Sequence, residues 1–260
     1  MSQTVLITGG AGGLGRELAR LYLARGSTVA LLDREAAFEA LDADLRAAPG
    51  IIEAACDLAD EEATKRVCSE LLARLGGLDV VIHSAGVTQL SPLTETPTGI
   101  IRKVMEINFF AAVTIARATL LALRASKGTH VALSSVAGFA PLIRRTGYAA
   151  SKHALEGFFS SLRAEEADFG VSVTIVAPSF VGTNLQKSGP APEAGLDRPG
   201  SAADGTDYIA PDVAARAILK AIDKKTRFAP IGRLAWLSWI VHRLSPGLYE
   251  KLMRRRIGKG

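Results

Sequence analysis

Short apolar runs recur along this chain near Val5, Val29, Ile52, Val80, Val131 and Val173, each bounded by glycine, serine or acidic residues. After each run comes a longer stretch whose apolar residues fall at three- and four-residue intervals. The runs therefore predict buried strands and the stretches predict amphipathic helices. A weaker seventh run spans Arg227 to Ile231. Strands that alternate with helices assemble into a parallel sheet covered on both faces, so the pattern predicts an α/β, doubly wound sheet of about seven strands. Ligands of such sheets bind at the carboxyl ends of the strands, near the point where strand order reverses. With 260 residues, 48% of them hydrophobic, the chain can bury a substantial core. Residues 1–231 read as one domain and 232–260 as a helical extension of it.

The first strand, Thr4 to Thr8, runs into Gly9-Gly-Ala-Gly-Gly-Leu-Gly15 and then an amphipathic helix from Arg16 to Arg25. A glycine loop between strand and helix lets the backbone approach a pyrophosphate, while the helix N-terminus offers unpaired N–H groups and the positive end of its dipole. Val29-Ala-Leu-Leu32 then ends in Asp33, twenty positions after Gly13, where a carboxylate can accept from the hydroxyls of a ribose. This combination gives the predicted sheet a Rossmann-type, dinucleotide-binding character.

A second constellation lies further along. The strand Thr129 to Leu133 ends at Ser134-Ser135, and an alanine-rich helical run begins at Tyr148. Tyr148 and Lys152 are i and i+4 neighbours on one helix face. A free phenol titrates near 10 and is a poor proton carrier at neutral pH. A unit charge about 5 Å away at an effective dielectric of about 20 is worth about 3 kcal/mol, or about two pKa units. Lys152 can supply that charge, and Ser135 can hydrogen-bond the oxygen that gains or loses a proton. The Tyr-x-x-x-Lys spacing also arises by chance, so its weight comes from the glycine loop upstream.

Taken together, these motifs resemble the short-chain dehydrogenase/reductase family, in its small single-domain branch, from about Thr4 to Lys224. The family's Thr-Gly-x-x-x-Gly-x-Gly loop is matched by Thr8, Gly9, Gly13 and Gly15, with Leu14 inside it. Its helical Asn falls on Asn108, its Ser-x-x-Gly on Ser135-Val-Ala-Gly138, and its Pro-Gly-x-Val-x-Thr on Pro178-Ser-Phe-Val-Gly-Thr183. Gly9, Gly12 and Gly15 also satisfy the loop spacing of the longer epimerase and dehydratase branch. Two positions depart from the usual pattern: His83-Ser-Ala-Gly86 stands for Asn-Asn-Ala-Gly, and Ser179 for the glycine after Pro178. We expect His83 to pack rather than to act.

What the resemblance implies is an NAD(P)-dependent oxidoreductase that interconverts a secondary alcohol and a ketone, or a primary alcohol and an aldehyde. Tyr148 would be the general acid/base, Lys152 would lower its pKa and hold the nicotinamide ribose, and Ser135 would orient the carbonyl oxygen. Asn108 would fix a water in the proton relay. Thr8, Gly9, Gly13, Leu14, Gly15, Asp33, Asp57, Leu58, Ala85, Gly86, Pro178, Val181 and Thr183 would line the coenzyme site. Asp57 has an alternative reading as a turn acid before Asp60. Asp33 and the absence of a basic residue at Gly12 favour NAD over NADP, with Arg34 as the countervailing residue. Two other readings are a catalytically silent dinucleotide-binding scaffold or redox sensor, and a sugar-nucleotide epimerase. The Ser, Tyr, Lys and Asn set argues against the first, and the short stretch after Pro178 against the second.

Phe139, Leu142 and Ile143, with an apolar C-terminal helix, point to a lipophilic substrate, whereas Arg144-Arg145 would suit a carboxylate or phosphate. Ala150, Ala154, Gly157 and Ser161 form a small-residue stripe, and in the resembling family this helix and the one bearing Asn108 pair with their copies, implying a homodimer or homotetramer. Ser188 to Thr206 lacks periodicity and reads as a lid loop. Cys56, which reads as a buried strand residue, and Cys68 show neither disulfide nor metal spacing, and the four histidines form no cluster, so no catalytic metal is expected. With no basic-then-apolar leader before the first strand, a cytoplasmic protein is expected.

Basicity is local. From Arg243 to Gly260 there are six basic residues and one acid, a net +5 that equals the charge of the whole chain. Upstream, Leu234, Trp236, Leu237, Trp239, Ile240, Val241 and Leu244 form a helix-sized apolar stretch with Ser238 and His242 as a narrow polar stripe. It is too short to span a bilayer, which takes about 20 residues. Peripheral contact with an anionic membrane is one reading and packing on the substrate pocket or a partner subunit the other. A nucleic-acid role is not expected, because the basic residues come with no stacking platform.

Overall fold

The structure, a computed structural model, describes residues 2–183, 196–197 and 208–257. Seven parallel strands form one sheet in the order β3-β2-β1-β4-β5-β6-β7. They are β1 (Thr4–Thr8), β2 (Thr28–Asp33), β3 (Ile51–Ala55), β4 (Val80–His83), β5 (Thr129–Leu133), β6 (Ser172–Pro178) and β7 (Phe228–Ile231). Strand order reverses between β1 and β4, which pair with Val5 beside Val80 and Thr8 beside His83. The crevice at their carboxyl ends is where such a sheet binds its ligand. All seven anticipated strands form. Cys56 differs from expectation: β3 stops at Ala55, and Cys56 is the buried residue just beyond it, its N–H donating to Asp33 O at 2.8 Å.

Alternate residues of each strand serve opposite faces. Val5, Ile7, Leu31 and Ile82 pack with α1 (Gly13–Leu23) and α8 (Pro211–Asp223), whereas Leu6, Ala30, Leu32 and Val81 pack with α4 (Glu61–Leu75) and α6 (Ala111–Ser126). Ala132, Val173 and Ile175 lie under Leu155 and Phe159 of α7 (Thr146–Glu165). Short helices α2 (Glu35–Phe38) and α3 (Ala43–Arg46) link β2 to β3. Asp60 caps α4 by accepting from Ala63 N–H at 2.9 Å, and Gly76 closes it at φ 67°, the left-handed value that ends many helices.

α5 (Thr98–Met105) reaches α6 through a π-helical turn at Glu106–Phe110. Thr98–Ser126 is long and apolar enough to cross a membrane by length and composition. One side of it packs into the fold, burying Ile100, Val104, Ile115 and Leu123, while Phe110 and Leu121 are exposed. The C-terminal extension comprises two helices, α9 (Arg233–Leu244) and α10 (Pro246–Ile257), where one was foreseen. Ala235 and Tyr249 pack with Val136 and Ala140, the segment that follows β5. Most of the expected lid, 188–206, lies outside the described residues. Within it, Leu196 is buried against Val87, Ile100 and Val104, and Asp197 exchanges backbone hydrogen bonds with Thr88 at 2.7 and 2.9 Å.

Candidate active site

Tight backbone approach explains the glycine loop. Gly9 adopts φ +64°, and a Cβ there would come within 2.9 Å of the Ala85 backbone. One at Gly13 would stand 2.8 Å from Thr183 Cβ, and one at Gly15 would meet Gly9 O. The loop, the β4 exit and the Thr183 segment after β6 therefore enclose a cradle that side chains would fill. α1 begins at Gly13, earlier than the sequence suggested, so its first N–H groups open on this cradle. Leu14 is half-buried beside it.

Thr8 holds the two halves together. Its Oγ1 accepts from the N–H groups of Ser84 and Ala85, both at 3.1 Å, fixing the chain that carries Gly86. Asp33, at the end of β2, accepts from Ala11 N–H at 3.1 Å and Arg34 N–H at 2.9 Å. Burial pushes its carboxyl above the usual range, and these N–H groups pull it back. Asp57 is exposed and accepts from Ala59 N–H at 3.1 Å, which fits its turn-acid reading, while Leu58 is buried. Pro178 ends β6, and Val181 bridges to Ile209.

At the other end of the crevice, Tyr148 lies in the first turn of α7 and is buried. Its ring has Lys152 Nζ 5.8 Å and the Arg145 guanidinium 5.9 Å from its centroid. Lys152 Nζ donates to Leu133 O at 2.8 Å, which ties α7 to β5 two residues before Ser135. Ser135 Oγ accepts from Ala137 N–H at 3.2 Å, the turn expected of a serine that opens a short helical segment. Asn108 sits in the π-helical turn. Its Oδ1 accepts from Val87 N–H at 2.8 Å, and its amide donates to Val87 O and Ser151 Oγ, both at 2.9 Å. A Cβ on Gly86 would lie 3.2 Å from Asn108 Oδ1 and 3.7 Å from Lys152 Nζ, so these three groups converge on one strip.

Burial pulls the Lys152 ammonium down to about 8, against a smaller upward pull from Glu156. An unfolded lysine titrates near 10.5. Between these values the unfolded chain binds more protons, so stability rises with pH across that window. Below it, the buried charge costs about 3 kcal/mol. Lys152→Met is therefore expected to stabilise the protein near neutral pH by about 2 kcal/mol, allowing for the donor lost to Leu133 O. The gain should fade as pH climbs from about 8 to 10.5. Urea unfolding of the coenzyme-free protein at both ends of the window measures it, and an unchanged or lowered stability at neutral pH would contradict it.

Several site residues gave no separate signal in the sequence. Glu156, one turn beyond Lys152, accepts from Ser134 Oγ at 2.5 Å, and burial pushes its carboxyl upward. A side chain at Gly138 would collide with both partners, which explains the glycine of Ser135-Val-Ala-Gly138. The i+4 spacing of Lys152 and Glu156 was the available clue. Arg145 turns inward and donates to Thr88 Oγ1 at 2.7 Å, while Gln89 ties Ser91 O, Arg144 O and Gly147 N–H together. His83 packs as expected: it lies 3.1 Å from His130, both rings rest against Phe159, and burial keeps both imidazoles neutral, His130 down to about 4. No group of three or more potential metal ligands occurs among the described residues.

The glycine cradle, the acid that ends β2 and the strip where Gly86, Asn108 and Lys152 converge thus lie together at the carboxyl ends of the strands. Residues 3–194 match the model of the short chain dehydrogenase family. The chain is 35% identical to dehydrogenase/reductase SDR family member 7B of Bos taurus, over 98% of this chain and 81% of that protein. The same protein from Danio rerio is 33% identical, over 99% and 86%. A short-chain dehydrogenase from Streptomyces avermitilis superposes with a TM-score of 0.81 at 27% identity, covering 100% of this chain and 99% of that one. A Burkholderia cenocepacia short chain dehydrogenase in complex with NADP shares the fold, with a TM-score of 0.80 at 23% identity over 100% and 98%. The chain belongs to the short-chain dehydrogenase/reductase family.

Proposed function

We propose that this chain is an NAD-dependent oxidoreductase that interconverts a lipophilic secondary alcohol and its ketone. The observation that carries this reading is the convergence of Lys152, Asn108 and Gly86 on one strip, with Tyr148 one turn before Lys152 and Ser135 just past the β5 carbonyl that Lys152 holds. When bound, the nicotinamide would accept or donate the hydride. Tyr148 would carry the proton to or from the substrate oxygen, and Ser135 would orient that oxygen by a hydrogen bond. Lys152, charged below about pH 8, would favour the phenolate and meet the nicotinamide ribose. Asn108 would hold the relay at its inner end, since both Val87 backbone groups and Ser151 bind it. The protein supplies position and charge rather than a covalent nucleophile. Steady-state turnover across a panel of alcohols and ketones of increasing chain length tests the reading, and no turnover with any of them would overturn it.

NAD is proposed over NADP because a 2′-phosphate would be brought against the half-buried Asp33 carboxylate. The Burkholderia relative is in complex with NADP, and here Arg34 is exposed beside Asp33, so the two residues oppose each other. Like-charge repulsion across about 5 Å at an effective dielectric of about 20 is worth about tenfold or more in kcat/KM. We expect that ratio to favour NAD, and Asp33→Asn to narrow it. An NADP preference in the unaltered protein would refute this.

A lipophilic substrate is supported by Leu142 and Ile143, half-buried in the segment before α7, and by Phe139, whose ring meets Phe228 at 5.8 Å. For assembly, Ala150, Gly157 and Ser161 lie exposed on α7, and Leu121 on α6 is 75% exposed. Such faces suit pairing with a second copy. Sedimentation at micromolar concentration is expected to show at least a dimer.

A further inference from the structure

The C-terminal helices wear their apolar residues outward. Arg233, Trp236, Leu237, Ile240 and Leu244 recur at the spacing that shares one helix face. Trp236 and Leu237 are each 53% exposed and Leu244 is 82% exposed. The polar stripe of α9 turns inward instead: Ser238 is buried near Tyr249, whose ring also meets His242 at 5.4 Å. α10 repeats the arrangement. Tyr249 packs inward, while Leu248 and Leu252, each 48% exposed, share the outer side with Lys251 and Arg255. Among the described side chains, four exposed cations, Arg233, Lys251, Arg254 and Arg255, neighbour these leucines and the tryptophan, and a fifth, Arg243, lies over the Trp239 ring at 4.5 Å, against one carboxylate, Glu250.

Two occupants of such a face differ in charge. A second copy of this chain meeting it symmetrically would set the two cationic groups against each other. An anionic lipid surface would pair the cations with headgroups and take up the tryptophan and leucines at the acyl boundary. α9, with 12 residues, is about 18 Å long and cannot cross a hydrocarbon core of about 30 Å. It can lie along the interface. We propose that α9 and α10 dock the protein on an anionic membrane surface, placing the Val136–Ala140 segment that follows Ser135 beside the lipid. Its packing against Ala235 and Tyr249 makes that segment the neighbour of the docked helices.

Both tryptophans of the chain, Trp236 and Trp239, lie on α9, so intrinsic fluorescence reports on this face. The full chain would be titrated with vesicles of phosphatidylcholine alone and of phosphatidylcholine mixed with phosphatidylglycerol, with co-sedimentation alongside. The expected result is co-sedimentation and a blue shift only with the anionic vesicles, weakened by salt. Trp239→Phe should keep the shift, and Trp236→Phe should lose most of it. Lys251→Gln with Arg254→Gln should weaken partitioning on the order of tenfold or more. Failure to bind anionic vesicles, or binding indifferent to these changes, would overturn the proposal. So would a drop in assembly mass on Trp236→Ser with Leu237→Ser in the absence of lipid, which would assign the face to a second copy. The readout is binding rather than turnover, so its failure would leave the oxidoreductase reading standing.

Discussion

Tyr148→Phe is expected to reduce kcat by three or more orders of magnitude while leaving coenzyme affinity nearly unchanged; general acid–base groups contribute about 10²–10⁴-fold. The substitution removes one oxygen. Ring packing, the Ser151 Oγ hydrogen bond to the Tyr148 carbonyl and the Lys152 hydrogen bond to Leu133 O all persist. Lys152→Ala should behave differently, because it removes the charge beside the phenol and the group proposed to meet the ribose. Turnover and coenzyme affinity should then fall together. Coenzyme titration by fluorescence, run beside steady-state rates across pH, separates the two variants. Near wild-type kcat in Tyr148→Phe would remove Tyr148 from the proton transfer.

Asn108→Leu is expected to be the most damaging change for stability within the site. Asn108 is 2% exposed and satisfies three groups: the N–H and C=O of Val87 and the hydroxyl of Ser151. A leucine of similar volume leaves them buried without these partners. At about 1–3 kcal/mol for each group left unsatisfied, the loss should amount to about 3–5 kcal/mol, partly offset where the Ser151 hydroxyl keeps its bond to Tyr148 O. Turnover should fall as well, because Val87 adjoins Gly86 and Thr88. Thermal unfolding of the two proteins provides the measurement. A loss below about 1 kcal/mol would mean that water or local movement replaces the amide.

The parallel sheet was legible because each strand is a short apolar run closed by a glycine, serine or acid, which marks where buried backbone must reach the surface. Thr8-Gly9, Asp33, Gly86 and Ser135 all lie at such closures. The glycine loop was legible for the same reason: several of its glycines answer backbone contacts only a few ångströms away. What stayed hidden depends on contacts between distant segments. Nothing local marks Glu106–Phe110 as a π-helical turn, because the turn orients Asn108 toward Val87 on another loop. Arg144-Arg145 looked like an anion-binding pair in the sequence, yet Arg145 is buried on Thr88 and Arg144 takes φ +62° at the surface. In α9, the narrow polar stripe of Ser238 and His242 is visible in the sequence, whereas the burial of Ser238 beside Tyr249 required the fold. Glu156 could be placed on the Lys152 face from spacing, whereas its partner Ser134 required the fold.

Label transfer distinguishes direct hydride transfer to the coenzyme from exchange with water. Alcohols deuterated at the carbinol carbon, chosen from those the protein oxidises, would be incubated with NAD, and the reduced coenzyme weighed by mass spectrometry. Direct hydride transfer predicts that the deuterium appears in the reduced coenzyme with the unaltered protein, and that Tyr148→Phe makes almost none. Deuterium lost to water during turnover, or equal labelled product from Tyr148→Phe, would contradict the account.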